Sequence, residues 1–181
     1  MNTDNQSYGD LSTCGEVRFV RILPGPIERV WQYLTDPEKR GLWLAHGTTD
    51  LRVGGKVMLE FHNTKISEAG DTIPEKYRED CQDGCNFTGT ILRCEPPYVY
   101  SHTWGGPESE VTFELSEVGD NVQLVLTHRK LGDDKDQLIS VSAGWHTHVD
   151  ILSAKLEGSQ PPSFWSRHTL LEKEYEAKLQ E

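Results

Sequence analysis

Residues Ser140–Gly158 read S-V-S-A-G-W-H-T-H-V-D-I-L-S-A-K-L-E-G, and this stretch decides the fold. Trp145, Val149, Leu152 and Leu156 recur at steps of three and four, which sets them on one helical stripe. Ser140 or Ser142 is expected to cap the start, and Gly158, followed by Pro161 and Pro162, ends the helix. His148 borders the apolar stripe. His146 and Asp150, four apart, are expected on the outer flank as a surface pair. Nearly everything before this helix reads as strand. The order implies an α+β domain, with a curved antiparallel sheet of about six to seven strands around one long helix.

The strands are read from period-two alternation. Asn121–Lys130 places Val122, Leu124, Leu126 and His128 on one face, and Glu110–Glu117 does the same with Val111, Phe113 and Leu115. Tyr98–Trp104 aligns Tyr98, Tyr100, His102 and Trp104. Phe87–Cys94, Lys56–His62 (with Val57, Leu59 and Phe61 on one face), a short Asp50–Val53 and Glu16–Leu23 complete the set. Two short helices follow the first strand. One starts at Pro26 and stops at Asp36-Pro37, and the second spans Glu38–Leu44. Asn63–Asn86 is polar and acidic and reads as a long hairpin loop, either mobile or a lid over a pocket. Leu131–Gln137 reads as an acidic loop. Phe164, His168, Leu171, Tyr175 and Leu179 make a second amphipathic helix with Ser163 as N-cap, suited to the outside of the domain or to a second copy in a homodimer. Residues 1–15 are expected as a flexible tail and residues 16–181 as a single domain, with the extra helix at 163–180.

The formal net charge of −11, from 18 basic and 29 acidic side chains, argues against nucleic acid and against anionic membrane surfaces as partners. No apolar run reaches the roughly 20 residues of a membrane-spanning helix. The first residues lack a secretion signal, so the expected address is cytoplasmic. Cys14, Cys81, Cys85 and Cys94 are then expected as free thiols, with a labile Cys81–Cys85 disulfide the alternative. No second pair with ligand spacing supports a zinc site. There is no nucleophile elbow, phosphate loop or dinucleotide fingerprint, and no cofactor is implied.

Several short motifs fall on these elements in order. They are V-W-Q-Y-L-T-D-P-E-K-R-G-L-W at Val30–Trp43, R-V-G-G-K at Arg52–Lys56 and F-T-G-T-I at Phe87–Ile91. E-P-P at Glu95–Pro97, H-T-W at His102–Trp104, L-T-H at Leu126–His128 and G-W-H-T-H-V-D-I-L at Gly144–Leu152 follow. Together they resemble the family similar to the activator of the heat-shock protein 90 ATPase. That family lies within the START-like (SRPBCC) superfamily, whose helix-grip fold is shared with the birch pollen allergen and polyketide cyclases. The resemblance spans roughly Glu16–Gly158. It implies a helix-grip fold; it does not fix an activity.

A curved sheet gripping a helix leaves room for a small hydrophobic molecule. The candidate ligand contacts on the sheet side are Trp43, Phe61, Tyr100, His102, Trp104, Phe113 and His128. On the helix they are Trp145, His148, Val149 and Leu152. Leu152→Trp is expected to fill the space. Trp104 and Trp145 offer flat apolar walls with one N–H each. His102, His128 and His148 offer acid–base or hydrogen-bonding groups. Three readings stay open. The chain binds a hydrophobic or aromatic ligand, or it is a cyclase- or hydrolase-like enzyme using those histidines. The third reading is a stress-related partner of a chaperone.

Overall fold

A computed structural model describes residues 7–11, 14–66, 71–81 and 84–180. Six strands form one antiparallel sheet: β1 (Val17–Pro24), β2 (Lys56–Phe61), β3 (Cys85–Glu95), β4 (Val99–Thr103), β5 (Glu110–Val118) and β6 (Asn121–Arg129), in the order β1-β6-β5-β4-β3-β2. The first strand in the chain pairs with the last, in a register that runs from Val17 opposite His128 to Pro24 opposite Asn121. The alternation read from sequence sets the inner face. Val17, Phe19 and Leu23 of β1, Val57, Leu59 and Phe61 of β2, and Leu124 and Leu126 of β6 are all buried, while Met58 is exposed. A register shift between Ile91 and Arg93 interrupts the β3–β4 ladder.

The long helix α4 (Lys135–Glu157) lies on that face. It starts earlier than Ser140. Asp134 is the N-cap, its carboxylate accepting from the backbone N–H of Asp136 at 2.9 Å and of Gln137 at 3.4 Å. The acidic run expected as loop is therefore the helix start, where carboxylates are favoured. Ser142 instead donates to the Leu138 carbonyl within the helix at 2.6 Å. Gly158, at φ 70°, closes the helix in the left-handed conformation expected for its glycine.

Two short helices, α1 (Ile27–Thr35) and α2 (Pro37–Gly41), follow β1. The second stops at Gly41 rather than Leu44, and Asp50–Val53 is not a strand; the isolated bridges to β2 lie just before it, His46 to Glu60 and Thr49 to Val57. Arg40 holds the following loop together. Its buried guanidinium donates to the carbonyls of Ala45, His46, Gly47 and Met58 and to the Thr49 hydroxyl, at 2.7–3.2 Å. Those donors brace residues 45–49 from within, while His46, Thr48 and Asp50 share backbone hydrogen bonds with Glu60, Met58 and Lys56.

The segment expected as one long hairpin loop contains α3 (Glu75–Cys81). The last helix, α5 (Phe164–Lys178), packs along α4. It covers the flank where His146 and Asp150 were expected on the surface. His146 is buried, its Nδ1 hydrogen-bonded to the Tyr175 hydroxyl at 3.1 Å, and Asp150 is bonded by Arg167 at 2.9–3.0 Å. Part of the N-terminal stretch meets α5 as well. The Gly9 N–H donates to the Tyr175 hydroxyl at 2.7 Å, and Tyr8 donates to Glu174 at 3.0 Å. No helix among the described residues is long and apolar enough to cross a membrane.

Candidate functional site

A cavity of about 510 Å³ opens between the β2–β3 end of the sheet, the first half of α4, α3 and α5. Phe61 of β2, Phe87 of β3 and Trp104 after β4 form the sheet-side wall, with ring centroids 4.9–5.7 Å apart. Ser140, Val141, Gly144, Trp145 and His148 of α4 form the helix-side wall. Tyr77 of α3 and Phe164, Trp165 and His168 of α5 complete the ring, with Tyr77 stacked on Trp165 at 5.4 Å.

The outer wall is tied down by polar contacts. Asp71 caps α5, accepting from the N–H of Trp165 at 2.7 Å and of Ser166 at 3.3 Å. The Tyr77 hydroxyl pairs with Ser140 Oγ at 2.7 Å and donates to Glu172. Lys76 pairs with the same Glu172 carboxylate at 2.7 Å. Burial first, and then Glu172, raise the Tyr77 hydroxyl above its ordinary value. The described part of the expected loop is thus a wall of the cavity.

Of the candidate ligand contacts, Phe61, Trp104, Trp145 and His148 line the cavity. The others are packed behind it. Val149 and Leu152 are wholly buried in the core beneath the second half of α4, so Leu152→Trp would overpack the core rather than fill the cavity. Trp43 is also wholly buried, with its N–H on the Tyr33 carbonyl at 2.7 Å. Phe113 and Tyr100 stack on each other at 6.1 Å. Desolvation pushes the Tyr100 hydroxyl up to about 12. His102 donates from Nδ1 to the Thr103 carbonyl at 2.9 Å, and burial lowers it to about 4.

His128 orients the cavity wall without lining it. Trp145 Nε1–H donates to His128 Nδ1 at 2.8 Å, which leaves Nε2 carrying the proton toward Ser109 Oγ at 2.6 Å. Both ring nitrogens are used, and burial lowers this imidazole to about 3. His148 donates from Nδ1 to the Trp43 carbonyl at 2.7 Å, leaving an unprotonated Nε2 as acceptor; burial lowers it to about 4. At neutral pH both rings are uncharged hydrogen-bonding groups in an aromatic shell.

Sequence periodicity missed Tyr77, Phe87, Gly144, Phe164, Trp165 and His168. The available signals were Ser140, Gly144 and His148 at steps of four, and the adjacent bulky pair Phe164-Trp165 opening a helix. Among the described residues no group of three or more His, Cys, Asp or Glu side chains could hold a metal ion. Cys14 and Cys94 are free thiols; the Cys81–Cys85 pairing lies outside the described residues, because the Cys81 side chain is not among them.

The model of the family described as Activator of Hsp90 ATPase homolog 1-like protein matches residues 24–157. The chain belongs to this family. The family match ends with α4, so the α5 wall of the cavity lies beyond it. Similar solved structures extend further. The protein encoded by gene BPP1335 of Bordetella parapertussis is 39% identical over 97% of this chain and 94% of its own, with a TM-score of 0.76. CalU16 from Micromonospora echinospora is 27% identical over 92% of this chain and 89% of its own, with a TM-score of 0.65. DynU16, a protein in the dynemicin biosynthetic locus, shares the fold at 21% identity and a TM-score of 0.63, over 84% of this chain and 51% of its own. No curated protein matches the sequence. The α+β helix-grip architecture expected from the motifs is the observed one.

Proposed function

We propose that this family member binds a small hydrophobic molecule, with aromatic surface, in the cavity between the sheet, α4 and the α3–α5 wall. The supporting observation is the aromatic lining. Phe61, Phe87, Trp104, Trp145, Phe164 and Trp165 surround about 510 Å³, a volume suited to a small-molecule ligand. Rings set edge-to-face or stacked provide flat faces on several sides of a guest. Polar groups for orientation on the same lining include His148, His168 and the Tyr77–Ser140 hydroxyl pair.

Acid–base catalysis by the histidines has weaker support. His102 and His128 lie behind the wall, and a His148 held near 4 is a poor proton acceptor. Native mass spectrometry of freshly purified protein, beside a Gly144→Leu variant with the cavity filled, tests the binding reading. A small molecule should accompany wild type and be absent from the variant. Equal uptake by both would count against it. The family description offers a second reading, contact with a chaperone, for which a change in chaperone ATPase rate on adding this protein would be the evidence.

A further inference from the structure

The aromatic cavity adjoins a second depression of about 330 Å³, whose lining includes His46, His62, Lys65 and Lys155. His62 and Lys65 line both spaces, so the two adjoin through these residues. The chain carries 29 acidic side chains, yet no Asp or Glu among the described residues lines either space. A third depression, between α3, α4 and α5, carries Asp136, Glu172 and Glu176 beside Lys76 and Lys173, so carboxylates outnumber cations there. The cationic character is therefore local to the mouth of the aromatic cavity.

The two lysines come from different elements. Lys65 follows β2, and Lys155 sits in the last turn of α4, where a cation also complements the helix dipole. Neither ammonium makes an ion pair with a described carboxylate, whereas Lys76, Lys130, Arg52, Arg93, Arg129 and Arg167 all do. His46 and His62 add imidazole donors to the same depression. An aromatic-lined chamber joined to a rim with two cations and no described carboxylate matches a molecule that is apolar at one end and anionic at the other.

Resting on the cavity reading above, the geometry points to a hydrophobic acid as the ligand. Its ring or hydrocarbon body lies among Phe61, Trp104, Trp145 and Phe164, and its anionic group is held by Lys65 and Lys155 at the second depression. The rim is partly solvated, so each cation is worth a modest factor, roughly threefold, and the pair about tenfold.

The test uses two fluorescent probes with the same ring system. One is 8-anilinonaphthalene-1-sulfonate; the other is N-phenyl-1-naphthylamine, which lacks the sulfonate. In the full chain, Lys65→Gln with Lys155→Gln should weaken the sulfonate probe about tenfold and leave the neutral probe unchanged. Added salt should weaken only the sulfonate probe in wild type. A control pair with the same change in net charge, Lys135→Gln with Lys173→Gln, should alter neither. The inference is overturned if the sulfonate probe is insensitive to the rim pair, if both probes weaken equally, or if only the neutral probe binds wild type. If neither probe binds wild type, or if Gly144→Leu fails to exclude them, the cavity reading itself falls and the inference with it.

Discussion

Gly144 sits inside α4, where glycine costs about 1 kcal/mol relative to alanine. No close packing requires it. A Cβ built at this position meets its nearest heavy atom, His168 Nε2, at 4.0 Å, ordinary van der Waals contact. The space above it is the cavity. Gly144→Ala is therefore expected to stabilise the protein by about 1 kcal/mol, which raises the melting temperature by roughly 2–4 °C at this chain length. Gly144→Leu keeps most of that gain, because leucine is nearly as good a helix former, and it projects an isobutyl group among the rings. Binding of a hydrophobic probe should then fall at least about tenfold, or about 1.4 kcal/mol. Gly89 in β3 is the contrasting control, since its Cβ would stand 2.4 Å from the Thr103 carbonyl oxygen. Gly89→Ala should destabilise. Calorimetry and a probe titration on the three variants check the set. A lower melting temperature for Gly144→Ala, or undiminished binding by Gly144→Leu, refutes the reasoning.

Burial holds His102 and His148 near 4 and His128 and His146 near 3, against an ordinary 6.5. Below about pH 6.5 the unfolded chain takes up protons that the folded chain refuses. Stability is then full above pH 6.5 and falls as pH drops toward 4, by about 5 kcal/mol per unit for four such rings. Thermal melts followed by circular dichroism should show a steep loss between pH 6 and 5; a flat profile there would contradict the burial of these imidazoles. Asp71→Ala removes the carboxylate that accepts from two N–H groups at the start of α5, and should cost about 1 kcal/mol. Hydrogen exchange should speed up first in the opening turn of α5; unchanged exchange there would remove Asp71 as its cap. Arg40→Met leaves the carbonyls of Ala45, Gly47 and Met58 without their buried donor, and a loss of about 3–5 kcal/mol is expected from urea titration. A change below about 1 kcal/mol would mean that water replaces the guanidinium.

The sheet was legible because alternation is a local property. Val122, Leu124 and Leu126 could face only one way once one of them was buried. The helix stripe was legible for the same reason. The position of the cavity along that stripe was not. Trp145 and Leu152 have the same periodicity, yet Trp145 meets open space and Leu152 meets packed core. The difference is made by α3, from a distant part of the chain, and by α5, which turns back along α4. His146 and Asp150 looked solvent-facing because a sequence pattern cannot show that a later helix will cover them. Asp134 was hidden in an acidic run that reads equally well as loop or as helix start. Arg40 was unreadable for a related reason. Nothing in P-E-K-R-G announces that one arginine will satisfy four carbonyls.

The pairing of β1 with β6 has a consequence for synthesis. Val17 must wait for His128, more than a hundred residues later, before its strand has a neighbour in the sheet. At about 5–20 residues per second, that is roughly 5–20 s during which Val17, Phe19 and Leu23 have no sheet to join. α4, which covers the inner face, emerges later still. Closure of the sheet is therefore a late event governed by long-range contacts, and the first strand stays without its neighbour longer than any other.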